Sequence, residues 1–542
     1  MPSGSFATGA TSGGPVTQIV ARGTADYHLT GAATVTFWRL KHSTHTNHAC
    51  EHVRQNFDSG TVAFGSSVTA RLGRTGDLIH KQYVEINLPG LYPVVSAGHT
   101  TNYAYVLEEL AADAGGDYMP DAELQAGLTN ALGGFYCHWT NAVGFALLKR
   151  IQLIIGNHQI DQLTSEYMYA WEELSGKAGK RMADMIGRFE TREQLIAYSR
   201  TPQILYVPLP FWYTQVAGNS LALVSLAFHG VQVSVQFREL EKLIIVSNRD
   251  IVVHNVPTDN GVTDGQPVTK ANLNACMVTQ YVYLDVAERS RFAEGLFDQL
   301  ITTMQCQYQE TTNTTLDLDL NFNHPMLELI MMVRLEANEM ANRFFDFSRV
   351  GPSTGSGRYR SNDGKGFPTA VALLPQTEGA FDLLIEPETI GVGAGLSDGE
   401  ANDAWIAAAG TSTGGPNLVS NNGMYNLSEV VTVNADPVRT INLTVNGSDR
   451  FQHDDAQFFR QVTCYEAHTH IPSNYIYTYN FALYPEEPNP SGALNFSRLD
   501  NVKLRMVFHP SLAGHNLQFF LFGRSWNVFS YVDGIGGRKY AA

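Results

Sequence analysis

Charge, and positive charge above all, is scarce in this 542-residue chain. Asp, Glu, Lys and Arg together make up 16% of the residues, whereas about 25% is usual in a soluble protein. The 36 Lys and Arg residues are outnumbered by 52 Asp and Glu, which leaves a formal net charge of −16. Because nucleic-acid binding requires a basic surface that neutralises phosphates, this composition argues against direct contact with DNA or RNA.

Paired cysteines and long apolar runs are also missing. The five cysteines are an odd number, lie far apart and include no Cys-x-x-Cys pair, which favours free thiols in a reducing compartment over a disulfide framework. No apolar run approaches the roughly 20 residues of a membrane-spanning helix. Residues 1–15 have neither the basic nor the apolar region of a secretory signal. We therefore expect a soluble protein that is made in the cytosol.

None of the short motifs has the context that catalysis or cofactor binding requires. Arg74–Leu78 contains one Gly and no following Lys-Ser/Thr, so it is not a P-loop. Gly534–Gly537 lacks the strand-then-helix setting of a dinucleotide site. Asp317 and Asp319 lie on the polar face of one predicted strand, where solvent exposure alone explains them. The sequence therefore predicts no catalytic, cofactor-binding or metal-binding residues and no enzyme.

A dense group of histidines lies near residue 45. His42, His45, His48, Cys50 and His52 are of the types that bind zinc. On a strand, however, His45 would point away from the others, and no turn in the run brings the ligands to one point. We interpret this run as a polar strand edge or a contact between subunits.

Alternation of apolar and polar residues dominates the chain and predicts β-strands. The clearest examples are Val231–Phe237, Leu316–Phe322, Ile441–Val445, Tyr475–Leu483 and Val502–Phe508. Asn446 and Gly447 directly follow one of them and form a strong hairpin-turn signal. Many short strands separated by such turns predict an all-β sandwich or jelly roll rather than an α/β enzyme fold.

Two helices are predicted among the strands. One covers Thr164–Gly176. The other begins at Asp285, which with Glu288 resembles a capping box, and continues along an i, i+4 apolar stripe through Leu300. Each half of the chain is thus expected to contain a helix, with the boundary between halves at about 238–250.

Acidic residues concentrate in two stretches that contain no Lys or Arg. Residues 82–148 hold seven acids and residues 371–437 hold nine, which together account for the whole net charge. Their irregular parts, about 90–145 and 350–430, are expected to be long acidic loops. They are either simple solvated insertions or outward excursions from two separate scaffolds.

Several segments resemble, in order along the chain, the major capsid proteins of nucleocytoplasmic large DNA viruses. They are Gly13–Gly23, Asp26–Gly31, Thr36–Arg39, His45–Asn47, Arg74–Ile79, Ile155–Asp161, Val207–Trp212, Tyr283–Asp285 with Glu288 and Arg289, Leu320–Pro325, Ala482–Glu487 and Pro490–Asn501. The two acidic loops depart from the family pattern, so their shape cannot be carried over.

The resemblance implies two consecutive eight-stranded jelly rolls with few short helices and long loop insertions. It implies an N-terminal arm at 1–20, a first jelly roll at 21–240 and a second at 241–542. Three chains would form a homotrimer of pseudo-hexagonal outline, which tiles an icosahedral shell of a large double-stranded DNA virus.

The resemblance also implies partners and a location. The partners would be neighbouring capsomers, minor capsid and penton proteins, and an internal viral membrane reached through minor proteins, without direct nucleic-acid contact. The protein would be synthesised in the host cytoplasm and reside in the capsid shell of the virion.

The residues expected to matter are architectural rather than catalytic. They are Gly76 and Asp77 in a hairpin between Val68–Leu72 and Ile79–Ile86, Asn321 and His324, and Asn495, Arg498 and Asp500 in a polar corner. Arg498 and Asp500 are expected to form a polar network in that corner.

Two other functions remain open at this point. A carbohydrate-binding or carbohydrate-active β-sandwich would need an aromatic platform with convergent carboxylates. A minor capsid or scaffold component would share the fold but neither the abundance nor the lattice.

Overall fold

The computed structural model describes residues 17–32 with breaks at 18 and 31, then 44–95, 137–246, 251–255, 267–347 and 436–540, with breaks at 178, 181, 190–191, 295 and 452–454. The chain forms two compact units, Met1–Asn47 and His48–Ala542. The first unit contains the short helix α1 (Tyr27–Thr30). Among the described residues, no helix has the length and apolar character needed to cross a membrane.

Two groups of strands follow each other along the second unit. The first group is β1 (His48–Gln55), β2 (Ser67–Arg71), β3 (Leu78–Leu88), β4 (Leu91–Val95), β5 (Cys137–Trp139), β6 (Leu148–Ile155), β7 (His158–Thr164), β8 (Gln203–Pro208), β9 (Leu221–Ala222), β10 (Val231–Phe237), β11 (Ile244–Val246), β12 (Ile251–Asn255) and β13 (Asn274–Leu284). The second group is β14 (Phe297–Thr311), β15 (Thr315–Asp319), β16 (Pro325–Leu335), β17 (Val438–Val445), β18 (Ser448–Asp449), β19 (Ile476–Asn480), β20 (Leu494–Asn495), β21 (Val502–Phe508), β22 (Leu517–Val532) and β23 (Ile535–Arg538).

Short helices lie between these strands. They are α2 (Val143–Leu147), α3 (Ser165–Ser175), α4 (Ala183–Ile186), α5 (Arg192–Ser199), α6 (Trp212–Gln215), α7 (Val286–Ala293), α8 (Glu336–Met340) and α9 (Ala456–Ala467).

The strands build two sandwiches of the same topology. Sheet A (β1-β13-β3-β8, with β9 beside β3) and sheet B (β2-β10-β6-β7) form sandwich 1. Sheet C (β14-β22-β16-β19, with β20 beside β16 and β23 beside β22) and sheet D (β15-β21-β17-β18) form sandwich 2. When the eight main strands of each sandwich are numbered along the chain, both give the orders 1-8-3-6 and 2-7-4-5. This is the jelly-roll order twice, so the predicted fold class is confirmed.

Alternation places the cores where the sequence predicts them. In β10, Val231, Val233 and Val235 are buried and the residues between them are half-buried. The strand β21 has the predicted bounds and buries every second residue against sheet C. The turn between β17 and β18 has positive φ at Asn446 (49°) and Gly447 (81°), as expected for a tight hairpin.

One of the two predicted helices is confirmed, and the other is shorter than predicted. Helix α3 is confirmed, and Thr164 caps it by accepting a hydrogen bond from the Tyr167 N–H. Asp285 caps α7, but the extension through Leu300 is wrong because α7 ends at Ala293. The residues that follow form β14, which pairs with β22 over its whole length. The hydrogen bonds of this long strand pair stabilise an extended backbone, although the apolar residues have helical spacing.

The predicted hairpin around Gly76 and Asp77 is also wrong. Strand β2 pairs with β10 in sheet B, whereas β3 pairs with β13 and β8 in sheet A. The link between them therefore crosses from one sheet to the other. In this topology the second and third strands belong to opposite sheets, which alternation within each strand does not reveal.

The histidine-rich run supplies an edge strand. Its second part forms β1, which pairs only with β13 in the described part of the chain and is largely exposed. The strand-edge interpretation is therefore correct for His48 to His52. In the described ranges no group of three His, Cys, Asp or Glu side chains could hold a metal ion, and His42 lies outside those ranges.

Sandwich 1 extends further along the chain than the sequence indicates. Strand β13 pairs with β3 of sheet A, so the change of sandwich falls between Leu284 and Phe297, later than the predicted boundary at 240. The predicted loop at 350–430, most of the loop at 90–145 and most of the arm at 1–20 lie outside the described residues.

Candidate functional site

The central strands β16 and β22 of sheet C are buried on both faces. Leu329, Met331 and Phe519 point towards sheet D and belong to the core of sandwich 2. Their neighbours Ile330 and Phe522 point the opposite way and belong to the core cluster of sandwich 1. The two sandwiches therefore meet through one continuous apolar core, with sheet C as the shared layer.

Helix α3 of sandwich 1 lies on the outer face of sheet C, the face turned away from sheet D. The rings of Tyr167 and Phe522 are 5.6 Å apart between centroids. The Arg524 guanidinium carbon lies 4.0 Å from the Trp171 ring centroid, a cation–π distance. Because α3 connects β7 to β8, this contact fixes sandwich 2 against the frame of sandwich 1.

A buried ion network reinforces this contact. The Nη1 atom of Arg334 in β16 lies 3.4 Å from the Oε1 atom of Glu166 in α3, and Arg238 Nη2 lies 3.6 Å from the same oxygen. Burial alone would raise the pKa of the Glu166 carboxyl, but the two guanidinium groups lower it. Removing one partner of such a buried network costs about 3–5 kcal/mol, since it strands a charge.

A second network lies beside the first on the outer face of sheet C. The Oε1 atom of Glu328 is 2.7 Å from Arg524 Nη1, and its Oε2 atom is 3.1 Å from His468 Nε2. The Nδ1 atom of His468 lies 3.1 Å from Glu486 Oε1. Although burial opposes each charge, these partners lower the pKa of Glu328 to about 2 and raise that of His468 to about 9.

The far end of α3 makes polar contacts both to Arg188 of sandwich 1 and to Ser473 of sandwich 2. The Arg188 guanidinium forms ion pairs with Glu172, at 3.1 Å between Nη1 and Oε2, and with Glu173. The Glu173 carboxylate also accepts a hydrogen bond of 2.9 Å from the Ser473 N–H. Glu173 therefore helps to position the two sandwiches, whereas Glu172 pairs within sandwich 1.

Asp161 of β7 connects the sandwiches at the edge of β14. Its Oδ1 atom accepts hydrogen bonds from the N–H groups of Gln162 (2.9 Å) and of Met304 in β14 (3.1 Å). The carboxyl group thus occupies a position on β14 that a further strand could otherwise pair with. Burial raises the pKa of Asp161 to about 7, against the opposing effect of these two N–H donors.

The structure brings two of the sequence-predicted regions together. Asn495 caps a 3₁₀ turn by accepting a hydrogen bond from the Ser497 N–H, and the Ser497 Oγ atom accepts one of 2.8 Å from the His324 N–H. The Phe496 N–H in turn donates to the His324 carbonyl. His324 has a φ of 71°, a left-handed conformation that these reciprocal bonds hold in place. The corner therefore anchors the turn before β16.

The other predicted residues lie apart from this corner. Asp77 is buried, accepts a 2.9 Å hydrogen bond from the Leu284 N–H and pairs with Arg289 at 3.0 Å. A Cβ atom on Gly76 would lie 2.8 Å from the Tyr281 Cβ atom, so this close approach to β13 requires glycine. Asn321 is exposed near β14, where its N–H donates to the Gln307 side chain.

The expected Arg498–Asp500 network does not form within one chain. Both side chains are exposed, and no ion pair joins them among the described residues. In contrast, Asp317 and Asp319 pair across the strands with Arg505 (3.7 Å) and Lys503 (3.6 Å). Asp317 and Asp319 therefore belong to an exposed charge ladder on sheet D, as expected for the polar face of a strand.

Sequence reasoning missed the contact between the sandwiches, although one signal was present. The runs Leu329–Val333 and Phe519–Phe522 are apolar without alternation. Such runs are typical of strands that are covered on both faces. The buried charges of α3 left no comparable signal, because Glu on a helix is usually solvent-exposed.

Comparison with known proteins agrees with this architecture. A family model of the major capsid protein N-terminus matches residues 36–285, and a model described as "Large eukaryotic DNA virus major capsid protein" matches residues 288–537. The chain belongs to this major capsid protein family. The two matches meet where the structure passes from sandwich 1 to sandwich 2.

Individual relatives match this capsid protein over nearly its whole length. The major capsid protein of Phaeocystis pouchetii virus is 28% identical and covers 97% of this chain and 99% of its own length. That of Paramecium bursaria Chlorella virus 1 is 24% identical, with 97% and 99% covered. Among solved structures, the capsid model of the latter virus (PBCV-1) has a TM-score of 0.58 at 20% identity and covers 94% of this chain and 100% of its own. The Faustovirus major capsid protein has a TM-score of 0.58 at 10% identity, with 96% of both chains covered.

Asp161→Asn should make the free energy of unfolding less sensitive to pH. Because the folded pKa, about 7, exceeds the ordinary value of 3.8, the stabilising effect of protonation is complete below pH 3.8 and is lost as pH rises through 7. The slope can reach about 1.4 kcal/mol per pH unit. The amide keeps the acceptor for Gln162 and Met304 but does not titrate.

The measurement is denaturant-induced unfolding of both proteins at pH 5 and pH 7.5. We expect the variant to gain stability relative to the original chain at the higher pH. An identical difference at the two pH values would contradict this assignment.

Proposed function

We propose that this capsid-family chain is the main structural subunit of an icosahedral capsid of a large DNA virus. The observation that supports this proposal is the pair of jelly rolls of identical strand order, joined through a sheet whose central strands are buried on both faces. A shell subunit has to keep a fixed shape under load, and a shared core provides that rigidity. Its work is assembly and requires no chemical step.

We infer further that the capsomer is a homotrimer with a pseudo-hexagonal outline. Three chains with two similar sandwiches each would supply six similar modules, and closed symmetry would cover sheet faces and strand edges that one chain leaves open. We assign the first jelly roll to the residues up to about 285 and the second to those that follow.

The same proposal also specifies the binding partners of the capsomer. Neighbouring capsomers, minor capsid proteins and penton proteins would contact the trimer, and minor proteins would link it to an internal membrane. The net charge of −16 makes direct binding to the packaged nucleic acid unfavourable. Synthesis in the host cytoplasm would precede incorporation into the virion.

The predicted architectural residues take two roles in this proposal. Gly76, Asp77, Asn321, His324 and Asn495 would shape the subunit by fixing turns at strand ends. Arg498 and Asp500 are exposed, so any assembly role has to be a contact with another chain.

Size-exclusion chromatography with light scattering tests the capsomer proposal. The chain has a mass of 59.6 kDa, and we expect the purified protein to have three times that mass. Negative-stain images of the same fraction should show six lobes. A monomer would contradict the proposal.

Arg498→Ala should lower the trimer yield without lowering the melting temperature of the subunit. The exposed guanidinium makes no ion pair with Asp500 within the chain, so its loss should affect only contacts between chains. Arg439→Ala is the matched control, since Arg439 is also an exposed arginine of sandwich 2.

Light scattering at equal protein concentration measures the outcome. A normal trimer yield from Arg498→Ala, or an equal loss in both variants, would remove this residue from the assembly surface.

A further inference from the structure

Within one chain, the two sandwiches meet at the outer face of sheet C. The equivalent face of sheet A is not used in this contact. Sheets A and C have the same strand order, 1-8-3-6. The outer face of sheet C is covered by α3 of sandwich 1, whereas Ile204 and Tyr206 on the outer face of sheet A are exposed. Two topologically equivalent sheet faces therefore differ in how far they are covered within a single chain.

Strand register identifies the residues on the outer face of sheet A. Tyr206 lies opposite Glu85, and Glu85 lies opposite Cys276. Ile204 shares this face and is 57% exposed, while Tyr206 is 37% exposed. Arg54 spans part of the face, with its Nε atom 3.0 Å from Glu85 Oε2. The surface is thus partly apolar, and its buried carboxylate is already neutralised.

Helix α9 of sandwich 2 occupies the topological position of α3, since each is the first described helix after the fifth main strand of its sandwich, in the connection to the sixth. Both begin directly after a capping residue, Thr164 or Asp455. The residues three, seven and ten positions after the cap are Tyr167, Trp171 and Leu174 in α3, and Phe458, Val462 and Tyr465 in α9.

The two stripes differ in burial. Tyr167 and Leu174 of α3 are buried where the helix meets sheet C and sandwich 2. In α9, Val462 is 39% and Tyr465 is 76% exposed. The opposite side of α9 is already in use, because Cys464 packs on Thr478 of β19. The chain therefore carries both an uncovered sheet face and an uncovered helix stripe.

We propose that the outer face of sheet A in one chain is covered by α9 of a second copy, through Val462 and Tyr465. This contact would repeat between chains the packing of α3 on sheet C within a chain. A head-to-tail contact of this kind leaves one free surface at each end of a pair, and three copies close the ring. The inference rests on the proposed trimer and specifies its interface.

Two double variants test the pairing, each removing one surface. The sheet variant carries Ile204→Lys and Tyr206→Lys, and the helix variant carries Val462→Lys and Tyr465→Lys. Because both introduce positive charge, the introduced side chains of the two variants repel each other and cannot themselves cause an association. Met340→Lys is the control, since Met340 is 61% exposed and lies on neither surface.

Light scattering is performed at a concentration at which the unmodified chain is trimeric. Each double variant alone should fall to the mass of one chain, and the control should remain trimeric. An equimolar mixture should give a dimer of the two variants, because the intact helix of one still fits the intact sheet of the other.

Two results would overturn the proposal. One is a trimer from either double variant alone, and the other is a mixture that stays monomeric. If the unmodified chain is itself monomeric, the capsomer proposal fails instead, so the two failures are distinguishable. Circular dichroism checks that each variant is folded. If the lysine variants unfold, Tyr206→Ser and Tyr465→Ser, which add no charge, replace them. Each serine variant should then reduce the trimer fraction.

Discussion

The burial of the central strands of sheet C on both faces is the constraint on which the rest of the structure depends. One face completes sandwich 2, and the other receives α3 and merges with the core of sandwich 1. Complete burial of a side chain such as Ile330 or Phe522 contributes about 1.5–3 kcal/mol to the free energy of unfolding. Separating the sandwiches would therefore lose several such contributions at once. The capsid subunit consequently behaves as one body rather than as two modules on a linker.

The buried charges give this body its geometry. An apolar seam alone would tolerate sliding, whereas Glu166 of sandwich 1, placed between Arg334 of sandwich 2 and Arg238 of sandwich 1, fits in one register only. Asp161 adds a carboxyl group that holds the edge of β14. These groups lie far apart in sequence, and their partners come from both sandwiches. A fixed angle between jelly rolls is what a tiling subunit requires.

The sequence predicts local structure well and long-range structure poorly. Alternation predicted β10, β17 and β21, and the capping residue Asp285 predicted the start of α7, because these depend on neighbours in the chain. The supposed hairpin around Gly76 failed because alternation is the same whether the next strand lies in the same sheet or in the opposite one. The end of α7 failed because pairing with the distant β22 decided the structure after Ala293. The corner at Asn495 was recognised as architecture, but its partner His324 could be found only in three dimensions.

A comparison of Leu329→Ala with Ile330→Ala tests the shared-core account most directly. These neighbours in β16 point to opposite faces of sheet C, and both are fully buried. In denaturant-induced unfolding, a shared core predicts a loss of about 2–5 kcal/mol for each. If Ile330→Ala changes the free energy of unfolding by no more than about 0.5 kcal/mol, as at an exposed surface site, the outer face of sheet C is not part of a continuous core and the account is wrong.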